Sequence, residues 1–265
     1  MGIFALLFSL TGATAAQQEL HVGNFENGDL TGWKEQTIWN SNKTSYSFLQ
    51  KNGKKILMAK SNNSASGLIH KMEVDSKTYP FIKWSWKIDH TVKKGNERVK
   101  EGHDFAARVY VVFSRGLFSR TRAIEYVWGN VMHKGEILRS PYSSNAVMIA
   151  VDSGEELAGQ WTSHKRNYYE DYRAAFGEEA PKLGAVAIMT DSDNSHESAV
   201  GYYGDISLLS SDKEEFKTKD PKNNEAAPKE QPHKDSTPKE TAPKDQLNSV
   251  QPATTATPHS PKTAP

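Results

Sequence analysis

Two full charges stand inside otherwise apolar runs: Arg108 in Phe105-Ala106-Ala107-Arg108-Val109-Tyr110-Val111-Val112-Phe113, and Glu125 in Arg122-Ala123-Ile124-Glu125-Tyr126-Val127-Trp128. A charge on a sheet face near a core is costly unless it is paired or faces a ligand. Arg108 with Tyr110, and Glu125 beside Tyr126 and Trp128, are therefore read as lining one concave ligand-binding face, to which Asp193 of Asp191-Ser192-Asp193-Asn194 adds a third polar group. A structural ion pair between Arg108 and Glu125, or a solvated outer face, is the other reading of the same pattern. Trp84, Trp86, Trp128 and Trp161 offer flat apolar surfaces for stacking on pyranose rings. Tryptophans of a β-sandwich more often belong to its core.

Catalysis has carboxylates without a constellation. Glu125 with Asp104 or Asp193 could serve as acid and base in glycan hydrolysis or elimination, where the carboxylate separation decides the outcome. The chain has no cysteine, no G-x-S-x-G, no H-E-x-x-H and no glycine-rich phosphate loop, and its nine histidines are scattered. Lys and Arg number 33 against 32 Asp and Glu, so the electrostatic footprint of a nucleic-acid binder is missing as well.

The elements that must position these groups have a period of two. In Ile82-Lys83-Trp84-Ser85-Trp86-Lys87-Ile88 the apolar side chains fall on one face and the polar ones on the other. In 105–113 the alternation puts Phe105, Ala107, Val109, Val111 and Phe113 together. Further strands are expected near 55–60, 67–74, 122–128, 146–152, 183–190 and 199–208, with turn signals such as Asn52-Gly53 between them. One short helix is expected over Tyr168 to Phe176, where aromatics recur every fourth residue before Gly177, and it reads as a crossover over one end. The fold class is thus all-β, an antiparallel β-sandwich of jelly-roll or concanavalin-like type with one helix.

Both ends differ from this middle. Residues 1–16 read as a signal peptide, with the short apolar run Ile3 to Leu10 followed by Ala13-Thr14-Ala15-Ala16. Residues 211–265 hold nine of the 12 prolines and nine Lys against nine Asp plus Glu, a composition that favours a disordered, extended tail. The expected domain is 17–210. Its expected location is periplasmic or secreted, with no transmembrane segment in the mature chain.

Two resemblances follow from the motifs. Phe25-Glu26-Asn27-Gly28-Asp29-Leu30-Thr31-Gly32-Trp33 and Tyr202-Tyr203-Gly204-Asp205-Ile206-Ser207-Leu208 resemble the opening and closing strands of jelly-roll carbohydrate-binding modules. That likeness implies a structural calcium on Glu26 and Asp205, although such modules usually carry a second acid where this chain has Gly204; strand-end capping is the alternative role. Asp191-Ser192-Asp193-Asn194 begins like a calcium loop, but His196 and Tyr202 stand at its sixth and twelfth positions, so it is read as a turn. From Trp84-Ser85-Trp86 through Asp104 to Tyr110, Tyr126-Val127-Trp128, Asp171-Tyr172-Arg173, Phe176-Gly177 and Ala187 to Asn194, the blocks resemble, in order, the bacterial exported family known as domain of unknown function 3047. The resemblance implies a shared fold and export and names no activity.

The expected function is non-catalytic binding of saccharide or envelope glycan. A glycan-acting hydrolase or lyase on the same fold, and a structural envelope protein, are the alternatives. The mature chain is predicted to begin at Ala16 or Gln17, and truncation after Ser211 to leave the fold intact, because the tail lacks core-forming residues. Intact mass and a melting curve check this; a large fall in melting temperature on truncation contradicts it.

Overall fold

The computed structural model describes residues 17–114 and 121–212. The leader expected at 1–16, and the expected tail beyond residue 212, lie outside the described residues. In chain order the strands are β1 (Glu19–Gly23), β2 (Trp33–Thr37), β3 (Ser45–Lys51), β4 (Lys54–Asn62), β5 (Ala65–Val74), β6 (Phe81–Ile88), β7 (Arg108–Phe113), β8 (Arg122–Gly129), β9 (Ile137–Ser140), β10 (Ser143–Ser153) and β11 (Thr162–Asn167). The helix α1 (Tyr168–Phe176) then leads into β12 (Leu183–Asp191) and β13 (Ser198–Leu209). No helix among the described residues is long and apolar enough to cross a membrane.

These strands form a sandwich. One sheet runs β11-β6-β13-β4-β3, with β1 pairing the far half of β13, and the other runs β2-β5-β12-β7-β8-β10-β9. Alternation decides what lies between them. Ile82, Trp84, Trp86 and Ile88 of β6 meet Val109, Val111, Phe113, Ile124, Tyr126 and Trp128 of β7 and β8 in one buried core. Trp84 stacks on Tyr126 with ring centroids 4.9 Å apart, and Trp86 lies 6.2 Å from Trp128. Such ring pairs add about 0.5–1.5 kcal/mol each beyond the area they bury.

Three departures from the sequence reading have physical causes. β8 and β10 pair in parallel, not antiparallel, because the chain between them turns back through β9, which takes the antiparallel place beside β10. Residues 105–107 precede β7 and are not part of it: Phe105 packs with Val127, Met132, Met148 and Ala150 in a separate cluster on the outer side of the seven-stranded sheet. The edge and near-edge strands β1, β2, β3, β9 and β11 were not expected, since their exposed residues interrupt any apolar period. The helix occupies the expected residues. Asn167 caps it by accepting from the Glu170 N–H, Gly177 closes it at φ 70°, and Tyr172 packs 4.4 Å from Phe113 as the chain crosses from one sheet to the other.

A buried carboxylate ties the sheets together. Asp152 of β10 accepts from Trp86 Nε1 at 2.8 Å, Thr162 Oγ1 at 2.7 Å and His164 Nε2 at 2.7 Å, all three donors belonging to the opposite sheet or its edge. Burial alone would raise the Asp152 pKa, but these donors outweigh it and hold it down to about 2. Its contribution to stability is therefore complete above the ordinary carboxylate pKa of 3.8 and is lost as pH falls through 2. Asp152→Ala leaves three donors without their acceptor and is expected to cost at least ~2 kcal/mol in a urea melt at pH 7. A variant that melts like the wild type contradicts this account of how the sheets are held.

Candidate functional site

Position parity puts Arg108 and Tyr110 of β7, Glu125 of β8, and Met189 and Asp191 of β12 on the outer face of the seven-stranded sheet. Cross-strand register makes them neighbours, Tyr110 opposite Glu125 and Arg108 opposite Met189. This face is not left in water. The segment around His103 and Asp104, and the β9–β10 hairpin with Ser140 and Tyr142, fold over it and leave a cleft of about 340 Å³. Arg108, Tyr110, Glu125, Asp191, Asp193 and Asn194 all line it.

The guanidinium of Arg108 is 3% exposed and sits at the centre of this arrangement. Its Nη2 donates to Asp191 Oδ2 at 2.5 Å, its Nη1 lies 3.8 Å from Glu125 Oε2, and its plane covers the Phe105 ring at 4.3 Å and the Tyr110 ring at 5.4 Å. Its main-chain N–H donates to Tyr203 Oη at 3.3 Å from the core side. The ion-pair alternative is thus partly realised, with a different principal partner: Asp191, which the sequence reading had placed in a turn. Alternation shows why Asp191 belongs here, since it lies two residues from Met189 on the same face of β12.

Burial and neighbouring charge set the protonation of each group. Burial pushes Asp191 upward, Arg108 offsets part of that, and the Asp104 and Asp193 carboxylates add to it, bringing its pKa to about 8. Glu125 is raised by burial and only partly lowered by Arg108, and the Tyr110 hydroxyl is raised by burial. Burial and the Arg108 charge push His103 down to about 3. Neutral His103 accepts from Arg108 Nη1 at 3.5 Å through Nδ1, which leaves the Nε2 proton for Ser140 Oγ at 3.5 Å. Two buried polar atoms, Glu125 Oε2 and Arg108 Nε, have no hydrogen-bond partner.

The turn after β12 is built on a residue from another segment. Asp104 accepts the N–H of Asn194 at 3.2 Å and of Ser195 at 2.6 Å, so the turn's own Asp and Asn side chains are free for other work. Asn194 Nδ2 donates to Tyr142 Oη at 2.7 Å, fixing that ring at the rim. Glu97, wholly buried, accepts the N–H groups of Asn130, Val131 and Met132 and holds the loop after β8. Oxygens of Asp104, Asp191 and Asp193 lie within 4.8 Å of one another, the one three-acid group among the described residues with the spacing of a cation site. Asp104 and Asp191 are already occupied by backbone N–H groups and Arg108.

Beyond Asp193 the cleft passes into a polar depression lined by Asn40, Ser41, Asn42, Asn63 and His196. Asn40, Asn63 and His196 all take left-handed backbone angles, φ 62°, 46° and 58°. Non-glycine residues accept that conformation at a cost, and such strain gathers at ligand clamps. Between Ile38, which lines the cleft, and Asn40, which lines the depression, Trp39 stands 93% exposed.

Of the residues expected to bind ligand, Arg108, Tyr110, Glu125 and Asp193 meet in this cleft and Trp128 does not. Trp128 is 1% exposed in the inter-sheet core, with Nε1 bonded to Gly154 O, because three residues separate it from Glu125 and an odd separation reverses the face. Trp84 and Trp86 are likewise core. Glu26 and Asp205 lie side by side in other roles: Asp205 Oδ1 accepts the Glu26 N–H at 2.8 Å, and the Glu26 carboxylate pairs with Lys54. His103, Asp191 and Tyr142 were missed; none stands out in an apolar run, and only the fold brings them to Arg108.

A family model described as "Protein of unknown function (DUF3047)" matches residues 31–207. No curated protein matches the chain. Among solved structures, the xyloglucanase domain of a type three effector from Sinorhizobium fredii is similar at 9% identity and TM-score 0.40, over 68% of this chain and 95% of that one. A family 29 carbohydrate-binding module from Piromyces equi is similar at 11% identity and TM-score 0.36, over 74% and 93%. The enzymatically active domain of tailspike protein 4 from bacteriophage CBA120 is similar at 7% identity and TM-score 0.38, over 71% of this chain; the chain spans only 20% of that protein's length. At these TM-scores none of the three carries an argument about what this chain does.

The geometry ranks the charges around Arg108. Arg108→Met strands Asp191 and Glu125 together and is expected to cost about 3–5 kcal/mol of stability. Glu125→Gln removes a carboxylate that holds no hydrogen bond through Oε2 and should cost under ~1 kcal/mol. Urea melts of both variants check the order, and equal losses contradict it. Asp191 binds its proton more tightly folded than unfolded, so its stabilisation is complete below its ordinary pKa of 3.8 and lost as pH rises through 8. Asp191→Asn should flatten that slope.

Proposed function

Because this chain belongs to the DUF3047 family, whose description names no activity, its function has to be read from the site, and we propose that it is an exported, non-catalytic protein that binds saccharide in the Arg108–Tyr110–Glu125–Asp193 cleft. One observation carries this reading. A rigidly held guanidinium lines a small cleft together with Glu125, Tyr110 and Tyr142, and beneath its surface a donor, Arg108 Nε, and an acceptor, Glu125 Oε2, have no hydrogen-bond partner. A sugar unit presents hydroxyls that both donate and accept, together with apolar ring faces, and matches such a mixture of polar groups and aromatic walls. The cleft volume is at the low end of small-ligand sites, and the amide-rich depression past Asp193 extends it toward a second unit.

Structural engagement of the acids favours binding over hydrolysis. Asp104 accepts the Asn194 and Ser195 N–H groups, and Asp191 is held by Arg108 and the Phe105 N–H.

A glycan array on the wild-type chain is expected to give at least one saccharide that is retained without being cleaved. Tyr110→Phe, Asp193→Asn and Glu125→Gln should each weaken that binding about tenfold, close to 1.4 kcal/mol, while thermal stability stays near wild type. Retention of no saccharide contradicts the proposal. Release of reducing ends from the retained glycan replaces it with the hydrolase reading.

A further inference from the structure

A second groove lies on the opposite side of the sandwich, on the outer face of the six-stranded sheet, and no part of the Arg108 cleft contributes to it. Its cavity of about 460 Å³ is lined by Ser85, Ser163, Gly204, Trp161, Glu26 and the lysines of the β3–β4 hairpin. The floor is made by small residues in register. Ser163 of β11 pairs with Ser85 of β6, and Gly204 of β13 lies against Ser85 so closely that a Cβ there would come within 2.2 Å of its hydroxyl. β13 is bulged at this point, between Tyr203 opposite Trp86 and Ile206 opposite Trp84. A bulge and a glycine in the interior of a strand both weaken a sheet, and both are found where something must approach the backbone closely.

The walls differ in character. Trp161, 42% exposed, lies on one side, and Lys51, Lys54 and Lys55 of the β3–β4 hairpin lie on the other. Lys51 is directly opposite Lys54 in the ladder. Two residues along the same face from the two serines, Lys83 is directly opposite Lys165. Like charges facing each other across strands destabilise a sheet. Only part of this charge is answered within the protein: Lys54 pairs with Glu26, and Lys165 with Asp212 at 2.7 Å, while no ion pair reaches Lys51, Lys55 or Lys83 among the described residues. In a chain whose whole formal charge is +1, three lysines lining one groove and two more facing each other on the same sheet face are a local concentration.

We propose that this groove binds an acidic polysaccharide, with a sugar ring on Trp161 and the serine floor and its anionic groups between the two pairs of facing lysines. Hydroxyls and an open glycine floor suit a pyranose, a single indole wall suits one ring face, and spaced ammonium groups suit a charge repeated along a chain. Nucleic acid shares the charge, but it stacks successive bases and calls for several aromatic platforms, where this groove has one.

Affinity electrophoresis of the full chain tests this, in gels containing polygalacturonate, neutral dextran or single-stranded DNA. Polygalacturonate is expected to retard the chain, with affinity falling at least tenfold between about 50 and about 300 mM salt, and dextran to leave it unretarded. Trp161→Ala and the double variant Lys51→Ala/Lys55→Ala should each weaken retardation at least tenfold with unchanged melting. The double variant should keep the wild-type glycan-array profile for neutral saccharides, so failure here and failure of the Arg108 cleft are read separately. No retardation by polygalacturonate, equal retardation by dextran, stronger retardation by DNA, or a double variant that behaves as wild type would each overturn the proposal.

Discussion

A guanidinium removed from water keeps its charge, and the surrounding chain has to be arranged so that this charge is answered. Arg108 meets that requirement through Asp191 on one neighbouring strand and Glu125 on the other, so a single side chain fixes the mutual register of β12, β7 and β8. The main chain follows. Asp191 N–H donates to Phe105 O at 3.0 Å, while Asp191 Oδ1 accepts the Phe105 N–H at 3.1 Å, which bends residues 103–107 over the sheet. That bend delivers Asp104 to the N–H groups of the 193–195 turn and His103 to Arg108. Replacing such a buried charge set by apolar residues is often neutral for stability, so its retention needs another reason. The proposed saccharide site supplies one.

The two faces of the seven-stranded sheet divide the work. Inside, aromatic rings and the Asp152 hydrogen bonds hold the sheets together. Outside, nearly every polar group of the cleft is held by a second one: Tyr142 by Asn194, the 193–195 turn by Asp104, the loop after β8 by Glu97. Side chains fixed in this way lose little conformational freedom on binding, which is how a small cleft can hold a polar ligand in competition with water. Of the cleft's buried side-chain atoms, Arg108 Nε and Glu125 Oε2 have no hydrogen-bond partner, and both belong to residues fixed by the ion pair between them.

Much of the sandwich was legible because a strand with one buried face writes its period into the sequence. β6, β7, β8, β12 and β13 carry that period, and α1 carries both its aromatic repeat and its glycine stop. β3 and β11 turn only part-buried side chains inward, Tyr46 and Phe48 in one and Thr162 and His164 in the other, and so carry a weaker signal. Arg108 and Glu125 were visible as charges where the period demanded apolar residues. Asp191 was not, because it ends its strand and resembles an ordinary turn residue; its partner lies 83 positions away in the chain. Trp128 was misplaced for a simpler reason. Its type suggested stacking on sugars, but its parity with Tyr126 places it in the core, and parity is the stronger physical constraint.

The central claim is that Arg108 is held rigid so that a saccharide can complete its hydrogen bonding, and its Nε–H reports on that directly. In a ¹⁵N-labelled sample this group should give a single, slowly exchanging resonance in the free protein, because it is buried. Titration with a saccharide retained on the array should move that resonance in a saturable way, with the same midpoint as the binding isotherm. An Arg108 Nε–H signal that stays fixed through saturation, while signals elsewhere in the protein move, would contradict the account.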